Sequence, residues 1–171
     1  AHMIKKGIAL KIYIIDQTQI LPVTLEKAWD FFSNPANLEE ITPPWLKFNI
    51  HSDIEEEMYP GMIIRYRVTA LFGIPMNWVT EITQAEKKKY FIDEQRFGPY
   101  KFWHHQHHFR AVDNGVEIRD IVHYGLPFGI LGRIVHAFKI KGQLREIFET
   151  GNGFWESDLG KKALFGAEAP F

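Results

Sequence analysis

Four histidines fall within the eight residues from Phe102 to Phe109 (FWHHQHHF), which gives this segment unusual capacity for chemistry. Side chains alternate between the two faces of a β-strand, so one face carries Trp103, His105, His107 and Phe109. The aromatic residues on either side of His105 and His107 predict that this face points inward. The other two histidines fall on the opposite face and are interpreted as surface residues. Inward imidazoles beside carboxylates can orient a ligand, transfer protons or bind a metal ion.

A hairpin after this segment is expected to bring a carboxylate to the same face. The sequence Asn-Gly follows Asp113, and a two-residue turn of this type pairs Asp113 with Val116. Counting back along both strands predicts three further opposite pairs: Phe109 with Asp120, His107 with Val122, and His105 with Tyr124. The partner strand then presents an inward face that is apolar except for Asp120 and the hydroxyl of Tyr124.

A second hairpin, before the segment, is expected to supply another carboxylate. A three-residue connection over residues 98–100 pairs Phe97 with Lys101. Counting back predicts that Gln95 lies opposite Trp103, Asp93 opposite His105, and Phe91 opposite His107. The polar part of the inner wall is therefore predicted to comprise Asp93, Gln95, His105, His107 and Asp120.

Three interpretations of this polar group remain open. The first is an internal hydrogen-bonded cluster that stabilises the sheet. The second is the polar end of a pocket that orients one group of an otherwise apolar ligand. The third is a metal site of two histidines and one carboxylate, or an acid–base pair. Because no further motif supports the third interpretation, we expect neither a bound metal ion nor a cofactor.

The elements that position these residues follow from periodicity. A strand is predicted over Leu10–Leu21, and Thr24 caps a first short helix whose apolar residues recur on one face. Asn34 caps a second short helix that ends before Pro43. The period then changes to two, and the predicted strands are Lys47–Glu56, Met62–Ala70, Met76–Thr83, Tyr90–Arg96, Lys101–Val112 and Val116–Tyr124.

A long helix is predicted over Gly129–Thr150. Short connections between the six preceding strands indicate an antiparallel sheet, so the fold class is α+β with one seven-stranded curved sheet covered by the long helix. A hollow is expected where sheet and helix diverge, and its predicted aromatic wall comprises Tyr66, Trp78, Trp103, Tyr124 and Phe138. One domain is predicted over residues 3–150, and the aromatic tail 151–171 is a candidate for docking against it.

Composition excludes several classes of protein. The absence of cysteine excludes thiol catalysis, disulfides and thiolate metal sites. With 20 Lys and Arg against 21 Asp and Glu, the chain lacks the basic excess of a nucleic-acid-binding protein. No apolar run approaches the roughly 18 residues needed to span a bilayer. No signal-peptide pattern opens the chain once Ala1 and His2 are set aside as a cloning remnant. We therefore predict a cytoplasmic protein without nucleic-acid partners or membrane-inserted segments.

The order of elements and several motifs resemble the SRPBCC superfamily, which includes START domains and the birch-pollen allergen, and in particular a bacterial branch of ligand-binding SRPBCC domains. The motifs are Asn37-Leu38, ITPPWL over 41–46, FIDEQRFGPY over 91–100, the alternation over 103–109, DIVHYGLP over 120–127, and the glycines at 129 and 132. The resemblance implies a helix-grip fold with an internal cavity for lipids, polyketides or other apolar molecules. Some relatives are cyclases or dehydratases.

The leading hypothesis is a non-enzymatic protein that binds or carries a small hydrophobic molecule. The alternative is an enzyme of the polyketide cyclase, aromatase or dehydratase type that acts on such a molecule. A third class, a protein-interaction module, is disfavoured. The residues predicted to contact the ligand are Tyr66, Trp78, Asp93, Gln95, Trp103, His105, His107, Asp120, Tyr124 and Phe138.

Overall fold

A seven-stranded antiparallel sheet dominates the computed structural model, which describes residues 10–53, 55–69, 73–127 and 141–146. The strand order across the sheet is β1-β7-β6-β5-β4-β3-β2. Strands β2 to β7 thus form a meander, and the first strand returns to pair with the last. Their bounds are β1 Ile12–Leu21, β2 Asn49–Ile50, β3 Ile63–Thr69, β4 Pro75–Glu86, β5 Tyr90–Phe97, β6 Phe102–Val112 and β7 Gly115–Gly125.

The sheet is curved, and irregular pairing between β4 and β5 contributes to the curvature. The register of these strands shifts between Val79 and Thr80 and again between Ile82 and Gln84. Such bulges bend a strand and increase its local twist. Side chains on the concave face are the more buried ones, as the regular alternation along β1 illustrates.

The α-helix α1 spans Leu25–Phe32 and packs on the concave face. The Thr24 hydroxyl accepts a hydrogen bond from the backbone N–H of Lys27, which confirms the predicted cap. Its buried residues include Trp29, whose ring meets Phe109 of β6 edge-on with a centroid distance of 5.4 Å. This contact anchors α1 beside one end of the strand that carries the histidines.

The predicted second helix is a 3-10 helix, Pro35–Glu39, and another 3-10 helix follows at Pro44–Leu46. Asn34 caps the first, as expected, by accepting a hydrogen bond from the backbone N–H of Ala36. The second was not predicted, because its two prolines were interpreted only as a stop signal. Proline is favourable in the first turn of a helix, where its missing N–H costs nothing.

The prediction of a strand over Lys47–Glu56 was wrong, since β2 comprises only Asn49–Ile50. Lys47 adopts a left-handed conformation (φ 46°) that ends the preceding 3-10 helix. Beyond β2 the side chains of residues 55–57 are three exposed glutamates, so no alternating apolar face continues. The alternation of apolar and polar residues that predicted this strand therefore stops before residue 55.

The predicted register between β6 and β7 was wrong by two residues. Val112 pairs with Gly115, so the turn comprises Asp113 and Asn114 rather than Asn114 and Gly115. The observed pairs are Phe109 with Ile118, His107 with Asp120, His105 with Val122, and Trp103 with Tyr124. A slip of two residues keeps every side chain on its predicted face, because the period of a strand is two.

Gly115 explains why the turn forms one residue early. Neither Asp113 nor Asn114 has the positive φ of the type I′ turn that Asn-Gly favours, whereas Gly115 has φ 140°. A Cβ atom on Gly115 would lie 2.0 Å from the carbonyl oxygen of Leu21. The glycine therefore serves the close approach of β7 to the end of β1.

Of the predicted helix Gly129–Thr150, residues 141–146 are described and are helical. Leu144 is buried in the same cluster as Trp78 and Tyr124, and Glu146 accepts a hydrogen bond from Trp45 Nε1 at 2.9 Å. The remainder of this helix and the tail 151–171 lie outside the described residues. Within the described part of the chain, no helix is long and apolar enough to cross a bilayer.

Candidate functional site

A cavity of about 200 Å³ lies on the concave side of the sheet. Strands β1 and β3 to β7 contribute to its wall, as do α1, the segment around both 3-10 helices, and Leu144 from the helical segment 141–146. Most wall residues are aromatic or aliphatic, and the aromatic ones are Phe32, Phe48, Tyr66, Trp78, Phe91, Tyr100 and Trp103. The polar wall residues are Gln19, Thr42, Thr80, Asp93, His105, His107 and Asp120.

Aromatic rings on three strands, β3, β4 and β6, and on one turn form a continuous part of this wall. Tyr66 stacks on Trp78 with a centroid distance of 5.8 Å, and Trp78 meets Trp103 perpendicularly at 5.3 Å. Tyr100 packs against Trp103 at 4.8 Å. The Tyr66 hydroxyl is hydrogen-bonded to Thr80 Oγ1 at 2.8 Å, and burial raises the pKa of this phenol above its ordinary value. The wall is thus suited to a flat, apolar ligand.

The polar part of the wall is the His–Asp cluster, which comprises Asp93 on β5, His105 and His107 on β6, and Asp120 on β7. His107 Nε2 lies 2.9 Å from Asp93 Oδ2, and His107 Nδ1 lies 2.8 Å from Asp120 Oδ1. His105 Nε2 lies 3.1 Å from Asp120 Oδ1, and His105 Nδ1 lies 3.4 Å from Asp93 Oδ2. Each imidazole therefore bridges both carboxylates.

The four side chains of the cluster are held tightly. The rings of His105 and His107 have centroids 3.7 Å apart, and Phe91 stacks on His107 at 4.1 Å. Only 12–15% of each cluster side chain is exposed. The β6 strand supplies both histidines because His-x-His places them on one face, and the registers with β5 and β7 bring one aspartate from each side.

Protonation of His107 follows from this geometry. Burial by itself would lower the pKa of His107, but hydrogen bonds to Asp120 and Asp93 outweigh burial and raise it to about 9. Burial would likewise raise the pKa of both aspartates, but their contacts with His105 and His107 hold these pKa values below the ordinary range. At neutral pH the cluster therefore contains a buried imidazolium between two carboxylates.

A metal ion is the competing occupant of this geometry. One ligand atom each from Asp93, His105 and His107 lies within 4.8 Å of the others, which is compatible with a divalent cation. A metal-bound imidazole must give up a proton, however, and both nitrogens of His107 face carboxylates. Metal binding would thus compete directly with the hydrogen bonds that the cluster already makes.

Seven of the ten predicted ligand-binding residues line the cavity, and they are Tyr66, Trp78, Asp93, Trp103, His105, His107 and Asp120. Phe138 lies outside the described residues. Tyr124 is buried beside the wall, where it stacks on Tyr13 at 5.4 Å, and burial raises the pKa of its hydroxyl to about 12. The predicted registers Asp93–His105 and Phe91–His107 are confirmed.

Gln95 has a different position from the one predicted. Described pairing between β5 and β6 stops at Glu94 and His104, so Gln95 does not pair with Trp103, and it lies opposite Thr80 of β4 instead. Its amide accepts a hydrogen bond from the backbone N–H of Tyr100 at 3.1 Å and donates one to the Tyr100 carbonyl at 2.6 Å. Gln95 thereby stabilises the turn that delivers Tyr100 to the cavity wall.

Sequence reasoning missed several wall residues. Tyr100 was assigned to a turn, but its ring turns inward and contacts Trp78 and Trp103. Phe48 was placed in a strand that does not form, although its ring packs on Tyr66 at 4.6 Å. Gln19 was not considered, but simple alternation along β1 places it on the concave face.

The other two histidines of β6 lie on the convex face, as predicted. His104 Nδ1 lies 2.8 Å from Glu94 Oε1, and His108 Nε2 lies 3.0 Å from Gln106 Oε1. Both are partly exposed, and neither lines the cavity. They belong to a polar surface network that is separate from the His–Asp cluster.

A curved antiparallel sheet that carries a cavity on its concave face agrees with the architecture that the SRPBCC resemblance implied. Residues 21–149 match the family described as polyketide cyclase/dehydrase and lipid transport. This chain therefore belongs to that family within the SRPBCC superfamily, as the resemblance implied. No curated protein matches the sequence.

Solved structures support the same fold. A protein from Arthrobacter aurescens is similar with a TM-score of 0.62 and 14% identity, covering 92% of this chain and 93% of its own. Ara h 8.0201 is similar with a TM-score of 0.57 and 17% identity, covering 86% and 100%. A norcoclaurine synthase from Thalictrum flavum, solved with a transition-state analogue, is similar with a TM-score of 0.60 and 12% identity, covering 88% and 98%.

Proposed function

We propose that this protein binds or carries a small, largely hydrophobic molecule in the cavity, and that it does so in the cytoplasm without catalysing a reaction. The observation that carries the proposal is the composition of the cavity wall. Stacked aromatic rings and aliphatic side chains form most of it, and the His–Asp cluster supplies one polar region. Binding sites for small molecules combine an extensive apolar surface with a few polar groups that fix orientation.

The proposed contacts divide the wall into two functional parts. Tyr66, Trp78 and Trp103 would contact the apolar body of the ligand, while Asp93, His105, His107 and Asp120 would orient its polar group. Tyr124 and Gln95 would support the wall without contacting the ligand. Tyr124 packs behind the wall, and Gln95 positions Tyr100. Phe138 remains a proposed contact from the predicted long helix.

A second candidate function is catalysis of the cyclase, aromatase or dehydratase type on such a molecule. The observation that favours it is the presence of four acid–base side chains in the cavity wall. Against it, the raised pKa of His107 keeps its proton bound at neutral pH, and both aspartates are ionised and already hydrogen-bonded. General acids and bases work best when their pKa lies near the working pH. We therefore favour binding.

The test is native mass spectrometry of protein purified without detergent, in search of a co-purified small molecule, together with titration of an apolar dye whose emission rises on binding. Two variants of adjacent residues locate the site. Gln19→Trp adds bulk on the cavity side of β1, whereas Thr18→Trp adds the same bulk on the exposed face. We expect only Gln19→Trp to abolish dye binding. Equal binding by both variants, or no binding by the unmodified protein, would contradict the proposal.

A further inference from the structure

We propose that the polar end of the cavity recognises a hydrogen-bond donor on the ligand, either a hydroxyl or an N–H group, and discriminates against carboxylates and phosphates. This inference rests on the proposed function, because it assumes that the cavity binds a ligand.

The donors of the cluster are already engaged. All four ring nitrogens of His105 and His107 lie between 2.8 and 3.4 Å from a carboxylate oxygen of Asp93 or Asp120. Two of these contacts, His105 Nε2 with Asp120 Oδ1 and His107 Nε2 with Asp93 Oδ2, are hydrogen bonds, so these nitrogens are engaged by the protein's own carboxylates. A ligand carbonyl or carboxylate would have to displace one of these charge-assisted hydrogen bonds, which are the stronger kind in proteins.

The acceptors of the cluster are in surplus. The four nitrogens converge on only two oxygens, Asp93 Oδ2 and Asp120 Oδ1. An ionised aspartate offers two oxygens and about four lone-pair sites. For Asp120 Oδ2, no donor is found among the residues that the structure describes. Because Asp120 lines the cavity, this oxygen is the natural acceptor for a ligand hydroxyl or N–H group.

The charge of the cavity wall also favours a neutral hydrogen-bond donor over an anionic group. In the described part of the chain, the cavity wall contains two aspartates but neither lysine nor arginine. An anionic group near Asp120 would meet an ionised carboxylate and find the neighbouring imidazoles already paired. Like charges in a site of low dielectric repel each other, and such repulsion is a common source of selectivity. A ligand hydroxyl or N–H group carries no charge and therefore avoids this repulsion.

Three probes with the same flat aromatic body separate the alternatives: 2-naphthol, 2-methoxynaphthalene and 2-naphthoate. The naphthalene ring suits the stacked wall of Tyr66, Trp78 and Trp103, so only the polar group varies. Isothermal titration calorimetry of the unmodified protein should show 2-naphthol binding about tenfold tighter than either of the others, the difference expected for one hydrogen bond to a charged acceptor.

A pair of variants then locates the acceptor. Asp120→Asn replaces an oxygen with an amide that can donate, so the preference for naphthol over its methyl ether should fall to about one, and naphthoate should gain affinity. Asp16→Asn makes the same chemical change on the convex face, where Asp16 pairs with Arg119, and should leave the order of affinities unchanged. The measurement on the unmodified protein stands even if Asp120→Asn does not fold.

The outcomes distinguish this inference from the function on which it rests. Naphthoate binding as tightly as naphthol would overturn the preference for a donor while leaving ligand binding intact. Equal affinities for naphthol and its methyl ether would do the same. Failure of all three probes and of the apolar dye to bind would overturn the proposed function and the inference with it.

Discussion

His107 and Asp120 face each other directly across β6 and β7, and His107 Nδ1 lies 2.8 Å from Asp120 Oδ1. On its other side the same imidazole reaches Asp93 on β5, so one ring joins three neighbouring strands. These contacts keep His107 protonated at neutral pH and couple the ionisation of the cluster to the stability of the sheet. The cluster can therefore stabilise the fold and orient a ligand at the same time.

The raised pKa of His107 predicts a pH-dependent contribution to stability. In the unfolded chain histidine titrates near 6.5, and in the folded protein His107 titrates at about 9. Its contribution, on the order of 3 kcal/mol, should be complete below pH 6.5 and be lost as the pH rises towards 9. Urea unfolding of the parent and of His107→Gln across this range measures it. A stability difference that grows between pH 6.5 and 9 would contradict the assignment.

Replacement of Asp120 should lower the pKa of His107, because one of its two carboxylate partners is removed. We expect Asp120→Asn to reduce the free energy of unfolding by about 3 kcal/mol, since it leaves a buried charge with fewer partners. NMR titration of the His107 ring follows the pKa directly. The surface variant Asp16→Asn provides the control, and an unchanged His107 pKa in Asp120→Asn would show that the two groups are not coupled.

The same variants distinguish a binding protein from an enzyme. We expect Asp120→Asn and His107→Gln to change ligand affinity or stability, and we expect no conversion of the ligand by the parent protein. Affinity is followed by calorimetry and conversion by mass spectrometry of the recovered ligand. Turnover by the parent that either substitution removes without weakening binding would establish the enzyme instead.

Metal content provides an independent prediction. Because each imidazole bridges two carboxylates, elemental analysis of freshly purified protein should find no stoichiometric zinc or iron. His105→Ala should reduce stability or ligand affinity and leave the metal content unchanged. Bound metal that is lost in His105→Ala and in His107→Gln would show that the cluster is a metal site.

Gly115 should be the most sensitive glycine in the turns. A Cβ at this position would lie 2.0 Å from the Leu21 carbonyl oxygen, so Gly115→Ala should destabilise the protein by about 3 kcal/mol or more. Gly61 also has a positive φ, but a Cβ there would meet nothing within 4 Å. Gly61→Ala should therefore cost only about 1 to 2 kcal/mol of backbone strain. Thermal unfolding compares the two, and similar losses would mean that the close approach to Leu21 is unimportant.

Local pattern predicted the faces of the strands but not every contact between them. Alternation placed Asp93, His105, His107 and Asp120 on one face, and this holds although the β6–β7 register was wrong by two residues. The register error arose because Gly115 was interpreted through turn preferences, whereas its role is set by the distant backbone of Leu21. A contact between residues so far apart in the chain leaves no pattern in the sequence around either of them.

The cavity wall was predictable to a similar extent. Large aromatic residues at alternating positions, such as Trp78 and Trp103, were correctly assigned to the concave face. Tyr100 was not, because its orientation depends on the side chain of Gln95 binding a turn backbone five residues later. The strand predicted over Lys47–Glu56 was too long, because the alternation at Phe48 and Ile50 was extended as far as the exposed glutamates.

Pairing of β1 with β7 also constrains the order in which the sheet can assemble during synthesis. Ile12 pairs with Gly125, whereas each strand from β3 to β6 pairs with the strand that follows it in the chain. On the ribosome each of those hairpins can form once its second strand has emerged, but β1 has no partner strand until residues 115–125 have been made. The first strand must therefore wait for β7, and until then its unpaired backbone N–H and C=O groups leave it open to misassociation.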